Sequence, residues 1–213
     1  MSDIARRASG PAGAGPDAGD DASLIARSLR APECFGLLFD RHAPAVHRYI
    51  ARRLGPDAAD DLVAETFLVA FRKRGRYDAG QADARPWLYG IATRLVGQHW
   101  RDEVRFLRAI ARTGVDPAAD PVADPVGDRG ADRVTAQAAS RELAAALAAL
   151  APAQRDVLLL VASGLGYQEA GLALGVPAGT VSSRLARARR IVRELLSGQD
   201  PARSGRDSQR WTR

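Results

Sequence analysis

The sequence predicts an all-α protein in which two small helical domains are joined by an extended acidic linker. Apolar residues recur at helical spacing in two separate stretches, and a run of aspartate and proline residues lies between them. Hydrophobic residues make up 46% of the chain, which is enough for packed cores, but aromatic residues make up only 6%. Few aromatics and abundant alanine favour small helical domains over a β-sandwich or a barrel.

Composition divides the chain into five segments. Both termini are polar and rich in small residues, which predicts disorder. The predicted segments are a disordered N-terminal tail (residues 1–30), a first helical domain (31–111), an acidic linker (112–139), a second helical domain (140–197) and a basic disordered tail (198–213).

The first domain contains three predicted helices. Apolar residues recur every three or four positions over Glu33–Leu54 and again over about Ala58–Arg74. Pro44 is expected to bend or divide the first helix, because proline removes a backbone donor. A third helix is predicted to begin near Trp87 and to run on through Trp100–Ile110, so that the three helices share one core.

The linker is defined by its aspartates. One stands at every fourth residue from Asp116 to Asp132, and a proline follows three of them. The prolines oppose a helix and the charges oppose burial, so the segment is predicted to be extended. Its composition alone is that of an inert spacer.

The second domain ends in a helix-turn-helix pattern. A short helix over Tyr167–Leu174 is followed by the glycine-containing turn at Gly175 and a long helix over about Ala178–Leu196. An apolar stripe on the long helix leaves small polar residues and arginines on its other faces, which suits the major groove of DNA. An ordinary solvated helix fits less well, because five arginines accompany a single acid, Glu194.

Charge and cysteine content limit the partners and the cell compartment. The net charge of +6 and the sequence pI of about 10.3 suit a polyanionic partner. Cys34 is the only cysteine, which excludes an intrachain disulfide and a thiolate zinc site and fits a reducing cytosol. We find neither a membrane-length apolar run nor a signal peptide, so a cytoplasmic protein without a membrane partner is expected.

Two blocks of sequence carry a family resemblance. The run from Gly179 to Arg189 (GTVSSRLARAR) resembles the fourth conserved region of the extracytoplasmic-function sigma factors, the dissociable promoter-specificity subunits of bacterial RNA polymerase. The stretches Asp60–Phe67 and Ala84–Ala92 resemble the second conserved region of the same family. Two blocks in the right order are more specific than one helix-turn-helix.

The resemblance implies a protein partner, the core of RNA polymerase, which the family contacts at a coiled coil of the largest subunit and at the flap. Asp61 and Glu65, one helical turn apart, are the strongest candidates for the coiled-coil contact, whereas Phe67 fits the domain core equally well. The full set of predicted core-polymerase contacts is Asp60, Asp61, Ala64, Glu65 and Phe67.

The resemblance also implies two promoter contacts. The third helix and the loop before it would hold an extruded base of the minus-ten element, which requires stacking surfaces. Predicted minus-ten contacts are Arg76, Tyr77, Arg94, Gln98, Trp100 and Arg101. Predicted minus-thirty-five contacts on the recognition helix are Thr180, Ser182, Ser183, Arg184, Ala186, Arg187 and Arg190. Arg184 and Arg187 are expected to carry most of the base readout, and Trp87 and Tyr89 are assigned to the core.

Two further expectations follow from the resemblance. In the family the inter-domain segment threads a positively charged channel of the polymerase, where spaced aspartates could imitate a phosphate chain. An anti-sigma factor is also an expected partner. Gly90 departs from the family, which usually has arginine at this position.

Two other classes of function were considered. A one-component regulator with a similar helix-turn-helix would need a ligand pocket or dimer interface near the N-terminus, and it would not account for the match around Asp61 and Trp87. A nucleic-acid enzyme would need a catalytic cluster, and the sequence shows none, so neither catalysis, a cofactor nor a metal is predicted. His42 and His47, with Asp40 and Cys34 nearby, do not have the spacing of a standard metal site.

Overall fold

The structure is a computed structural model that describes residues 19–115, residue 117 and residues 129–197, with side chains in the last range from residue 135. Helices account for nearly all of the regular structure in these residues. They are α1 (Asp21–Ser28), α2 (Phe35–Leu54), α3 (Pro56–Lys73), α4 (Arg85–Gln98), α5 (Trp100–Thr113), α6 (Arg129–Ala149), α7 (Pro152–Ala162), α8 (Tyr167–Leu174) and α9 (Ala178–Ser197). Short 3-10 turns lie at Pro32–Cys34 and Arg74–Arg76.

The first domain is built on α2, α3 and α4. Each contributes one apolar face to a common core, in which Leu38, Ile50 and Leu88 are fully buried. The predicted division of the first helix is wrong, because α2 continues through Pro44 to Leu54. The predicted single third helix is instead two helices, since the backbone leaves helical geometry at His99 between α4 and α5.

Helix α1 corrects the prediction that residues 1–30 are disordered. Leu24 and Ile25 are buried against the first domain, and the Asp20 carboxylate accepts a hydrogen bond from the Ser23 amide at the start of the helix. Burial of these two apolar side chains offsets part of the cost of ordering the segment, and the hydrogen bonds of Asp21 to His42 and the Ala84 amide add to it. Residues 1–18 lie outside the described residues.

The segment predicted as a linker is partly helical. Helix α5 ends at Thr113, where Gly114 adopts a left-handed conformation with φ of 72°. Helix α6 begins at Arg129, well before the predicted domain boundary at residue 140, because no proline occurs between Pro125 and Pro152 and alanine is frequent there. Residue 116 and residues 118–128, which hold most of the aspartates, lie outside the described residues.

The two helical domains pack against each other. Helix α4 of the first domain lies against α8 of the second, and α5 lies against α6. The approach of α4 to α8 is so close that a Cβ atom at Gly90 would lie 2.5 Å from the carbonyl oxygen of Ala173. Position 90 must therefore be glycine for the two helices to pack this closely. The family that the sequence resembles usually has arginine at this position.

Candidate nucleic-acid interface

The turn between α8 and α9 depends on two glycines. Gly175 ends α8 in a left-handed conformation with φ of 66°, which favours glycine. A Cβ at Gly171 would lie 2.7 Å from the carbonyl oxygen of Val176, so the turn can fold back onto α8 only with glycine there. Pro177 then accepts the first backbone hydrogen bonds of α9 through its carbonyl oxygen. The geometry of this turn sets the angle between α8 and α9.

Helix α9 has one buried face and one exposed face. Val181, Leu185 and Ala188 are buried in the domain core. Among the predicted minus-thirty-five contacts, Thr180 and Arg184 are half-buried; the exposed ones are Ser182, Ser183, Ala186, Arg187 and Arg190. The exposed Arg190 lies 3.8 Å from Glu194, a distance at which a solvated pair contributes little. Donors suited to DNA phosphates and base edges therefore lie on the outer face.

Four of the predicted minus-ten contacts form one exposed surface where α4 meets α5. They are Arg94, Gln98, Trp100 and Arg101. The Arg94 guanidinium donates to the carbonyl oxygen of Gly90 at 3.1 Å, which orients it along α4. The Trp100 side chain is 49% exposed, and the Arg101 guanidinium carbon lies 5.7 Å from its ring centroid. An exposed indole beside arginines can stack on an unpaired base.

The other two predicted minus-ten contacts lie before α4 and differ in exposure. Arg76 is exposed in a 3-10 turn, but Tyr77 is half-buried, with its ring centroid 5.0 Å from that of Trp87. The Tyr77 hydroxyl donates to the carbonyl oxygen of Gln81 at 2.6 Å. Burial, with acidic neighbours such as Asp21, raises the pKa of Tyr77 to about 12. Its hydroxyl is therefore engaged within the domain, and its ring packs beside Trp87. Tyr89 is buried, as expected.

Helix α3 presents an acidic face. Asp60, Asp61, Ala64 and Glu65 are all exposed, and His47 of α2 lies 3.2 Å from the Asp60 carboxylate. Phe67 is only 5% exposed, which agrees with its alternative assignment to the core. The face formed by Asp60, Asp61, Ala64 and Glu65 is called the α3 acidic face below.

Two exposed apolar side chains extend the α3 acidic face and were missed in the sequence. Leu68 is 47% exposed and Phe39 of α2 is 42% exposed, with its ring centroid 4.9 Å from that of buried Phe67. Leu68 follows Glu65 by three residues and Asp61 by seven, so helical periodicity places it on the same face. That spacing could have identified it, whereas Phe39 depends on how α2 packs on α3.

A buried charge network joins the domains. The Glu103 carboxylate of α5 accepts hydrogen bonds from Arg53 of α2 at 2.7 Å and from Arg155 of α7 at 2.8 Å. Arg53 also donates to Asp156 of α7 at 2.6 Å and to the hydroxyl of Tyr49 at 2.6 Å. The sequence could not predict this network, because its members lie up to 103 residues apart.

Neighbouring groups favour the charged form of Arg53 in this network. Burial acts to lower the pKa of Arg53, but the neighbouring Tyr49 and Glu103 outweigh it and raise that pKa. Burial raises the pKa of Asp156, although its pairing with Arg53 opposes the change. Arg53 therefore stays positively charged, and the carboxylates of Glu103 and Asp156 accept its hydrogen bonds.

Asp21 of α1, His42 of α2 and Asp83 hold potential metal-ligand atoms within 4.8 Å of one another. Hydrogen bonds account for this proximity. Asp21 lies 2.7 Å from the His42 imidazole, accepts from Arg41 at 2.5 Å and accepts from the Ala84 amide at 2.9 Å. Asp21 thus binds α1 to α2 and to the start of α4.

Sequence comparisons identify the family. The pattern of sigma-70 region 2 matches residues 38–106, and that of sigma-70 region 4 matches residues 140–192. The chain is 34% identical over 191 residues to the ECF RNA polymerase sigma factor SigC of Mycobacterium tuberculosis, an alignment that covers 86% of this chain and 95% of the relative. The chain belongs to the extracytoplasmic-function sigma factors. It is a transcription initiation factor that works with RNA polymerase.

Further relatives of this sigma factor cover most of its length. RNA polymerase sigma factor CarQ of Myxococcus xanthus is 34% identical over 168 residues, covering 78% of this chain and 91% of CarQ. The solved structure of CnrH in complex with the cytosolic domain of CnrY matches with a TM-score of 0.58 and 25% identity, covering 84% of this sigma factor and 99% of CnrH. The structure of RpoE from Bartonella quintana, solved with the anti-sigma factor NepR, matches in fold, with a TM-score of 0.54, 24% identity and coverage of 79% and 99%.

Among the described helices of this sigma factor, none combines the length and the apolar character needed to cross a membrane.

Proposed function

We propose that this sigma factor binds core polymerase through the α3 acidic face and contacts a promoter through two separate surfaces, one on α4 and α5 and one on α9. The observation that carries the proposal is the exposure of all three surfaces on one packed pair of domains. None of them needs catalytic chemistry, so the protein acts as a binding subunit and not as an enzyme. It acts in the cytoplasm, where RNA polymerase works.

The α3 acidic face supplies the polymerase contact. Its exposed carboxylates suit a basic partner helix, and the exposed Leu68 and Phe39 beside them supply apolar contact. Buried Phe67 supports Phe39 from below through an edge-on ring contact. The proposed partner is the coiled coil of the largest polymerase subunit, as the family resemblance implies; an anti-sigma factor is a further proposed partner.

The α4–α5 surface holds the minus-ten element. Trp100 offers a stacking face for an extruded base, Arg101 lies beside its ring, and the exposed Arg94 and Gln98 supply further hydrogen-bond donors on α4. Arg76 lies exposed before α4 and is assigned a phosphate contact, whereas Tyr77 acts through its packing on Trp87.

The α9 surface reads the minus-thirty-five element. Arg187 and half-buried Arg184 are the base-reading candidates, because arginine can donate two hydrogen bonds to guanine. Ser182 and Ser183 are assigned contacts with bases or phosphates through their short side chains. Ala186 permits close approach of α9 to the DNA. Arg190 and Thr180 lie at the two ends of this surface.

Reconstitution tests the proposed function. The full chain is mixed with bacterial core polymerase and a promoter taken from its own genome, and transcription is measured by run-off RNA. We expect initiation at one defined start site only when both proteins are present. A chain that neither binds core nor directs initiation would refute the proposal.

Glu65→Lys tests one part of the proposed function, the contact with core polymerase. The substitution reverses a charge on the α3 acidic face, so we expect core affinity to fall about tenfold or more, equivalent to about 1.4 kcal/mol. Affinity is measured by titrating labelled sigma factor with core. Glu33→Lys is the matched control, because it makes the same charge change at an exposed site outside α3. Equal core affinity for both variants would contradict the assigned docking face.

A further inference from the structure

The charge pairs between the two domains can separate without leaving an arginine unpaired. On α7, Arg155 pairs with Glu103 of α5 at 2.8 Å. The adjacent Asp156 pairs with Arg53 of α2 at 2.6 Å. Each arginine also has a partner in its own domain. Arg53 donates to Glu103 at 2.7 Å, and Arg155 donates to the carbonyl oxygen of Leu150 at 2.9 Å. Separation therefore leaves neither arginine as an unpaired buried charge, which suits a contact that opens.

The contact of α4 with α8 depends on one residue of this chain. A Cβ at Gly90 would lie 2.5 Å from the carbonyl oxygen of Ala173 and 3.2 Å from its carbonyl carbon. The first distance is shorter than real Cβ contacts, so any residue larger than glycine holds α8 away from α4. Arginine, which is usual in the family at position 90, would prevent the contact. Closure at this point is therefore a property of this chain.

A closed pair of domains is too short to reach both promoter elements. The elements are named for positions about 25 base pairs apart, which is about 85 Å of duplex at about 3.4 Å per base pair. A packed unit of about 170 residues has a radius of gyration of about 16 Å and is about 40 Å across. The α4–α5 surface and α9 therefore cannot lie on the two elements until the domains separate. The inter-domain contacts oppose that step.

We propose that the inter-domain contact is autoinhibitory. The free chain is held closed by Gly90 and by the two charge pairs of α7, and core polymerase has to open it before both promoter surfaces act. The inference rests on the proposed function, in which one chain supplies both surfaces. Because the α3 acidic face stays exposed in the closed form, core can dock there first and then separate the domains.

Closure opposes assembly with core and not the later binding of promoter. Only the open fraction of the free chain is competent, so the apparent affinity for core is lowered by that fraction. Once the holoenzyme has formed, the domains are already apart. Substitutions that weaken the closed contact should therefore strengthen core binding and leave promoter binding by preformed holoenzyme unchanged. Loss of a merely structural contact would weaken core binding instead.

Two variants weaken closure at separate contacts. Asp156→Lys places a cation opposite Arg53, and Gly90→Ala adds the methyl group that α8 excludes. The matched control for the first is Glu33→Lys, which makes the same charge change at an exposed site. The control for the second is Gly97→Ala, where a Cβ meets nothing within 4 Å. Circular dichroism at the assay temperature verifies that each variant keeps its helices.

Three quantities are measured on the full chain. They are the radius of gyration of the free protein by small-angle scattering, the affinity for core by titration of labelled sigma factor, and the affinity of preformed holoenzyme for a promoter duplex by fluorescence anisotropy. We expect both closure variants to gain radius and to bind core at least about fivefold more tightly, with unchanged promoter affinity. The controls should match the wild type in all three quantities.

Two results would overturn the inference. A larger radius with equal or weaker core binding would mean that opening relieves no inhibition. An unchanged radius in both closure variants would mean that these contacts do not hold the free chain closed. A wild-type chain that fails to bind core refutes the proposed function instead, so the two failures are distinguishable.

Discussion

The four charged residues at the domain interface form a neutral set. Arg53 and Arg155 are opposed by Glu103 and Asp156, and Arg53 and Glu103 are each at most 2% exposed. Removing such groups from water costs several kcal/mol per ion, which is offset only if every donor and acceptor is paired. Within the described residues, no buried side-chain nitrogen or oxygen lacks a hydrogen-bond partner. The network therefore stabilises one specific arrangement of the two domains.

Glu103→Gln should destabilise the protein by about 3 kcal/mol. The amide keeps the shape of the side chain but removes its charge, so Arg155 loses its carboxylate partner while it stays buried. Arg53 keeps its ion pair with Asp156, so its burial is destabilised less. The free energy of unfolding is measured for the full chain by urea titration.

Asp102→Asn is the control for this substitution, because it makes the same chemical change at the adjacent residue. Asp102 is exposed and lies 3.2 Å from exposed Arg105, so the loss should stay within about 0.5 kcal/mol. Similar losses for Glu103→Gln and Asp102→Asn would show that the buried network is not formed in the free protein.

At the scale of a single helix, the Asp21 carboxylate helps to hold α1 against the first domain. Burial acts to raise the pKa of Asp21, but hydrogen bonds from His42 and from the Ala84 amide outweigh it and lower the pKa to about 2. In the unfolded chain the carboxyl group of Asp21 has its ordinary pKa, near 3.8. The carboxylate therefore stabilises the folded protein above about pH 4, and this contribution is lost as the pH falls towards 2.

Asp21→Asn should weaken this acid dependence. We expect a loss of about 1–2 kcal/mol at pH 7 and a smaller fall in stability between pH 4 and pH 2 than in the wild type. Urea titrations at several pH values give both quantities. Asp40→Asn, at an exposed position on α2, should keep the wild-type slope. A wild-type slope in Asp21→Asn would mean that another group carries the acid dependence.

The sequence predicts those helices that are long enough for their apolar periodicity to be recognised. Helices α2, α3 and α9 each extend over 18 residues or more, and most of their predicted apolar residues are buried, although Phe39 of α2 and Leu195 of α9 are exposed. Helix α1 has 8 residues and follows a glycine- and proline-rich segment, so composition concealed it. The break at His99 was missed because no proline marks it in the sequence.

The candidate site was predictable to a similar degree. Arg187 and Glu65 lie on exposed helical faces, as periodicity implies, whereas the engaged hydroxyl of Tyr77 depends on a turn that the sequence does not reveal. The contact of α5 with α6 could not be predicted, since it requires the packing of one domain on the other.

For the whole molecule, the packing of α4 on α8 places the α4–α5 surface, which we propose to bind the minus-ten element, and the helix-turn-helix in one unit. Gly90 faces α8, and Arg94 of the α4–α5 surface follows it by one helical turn. Arg85 of α4 also lies 3.5 Å from Glu169 of α8, a partly exposed pair that adds little stability. Close backbone packing at Gly90 and the buried charge network therefore restrain the domain orientation more strongly than this pair does.

Gly90→Ala and Gly97→Ala separate this packing from the properties of α4 itself. Both replace glycine with alanine in the same helix, which by itself stabilises by up to about 1 kcal/mol. Nothing lies within 4 Å of a Cβ at Gly97, so that variant should gain stability. A Cβ at Gly90 would lie 2.5 Å from a backbone oxygen, so that variant should lose stability and gain radius of gyration as α8 moves off α4. Thermal unfolding and small-angle scattering measure the two effects. If Gly90→Ala melts as high as Gly97→Ala with an unchanged radius, the domains are not packed in the free protein.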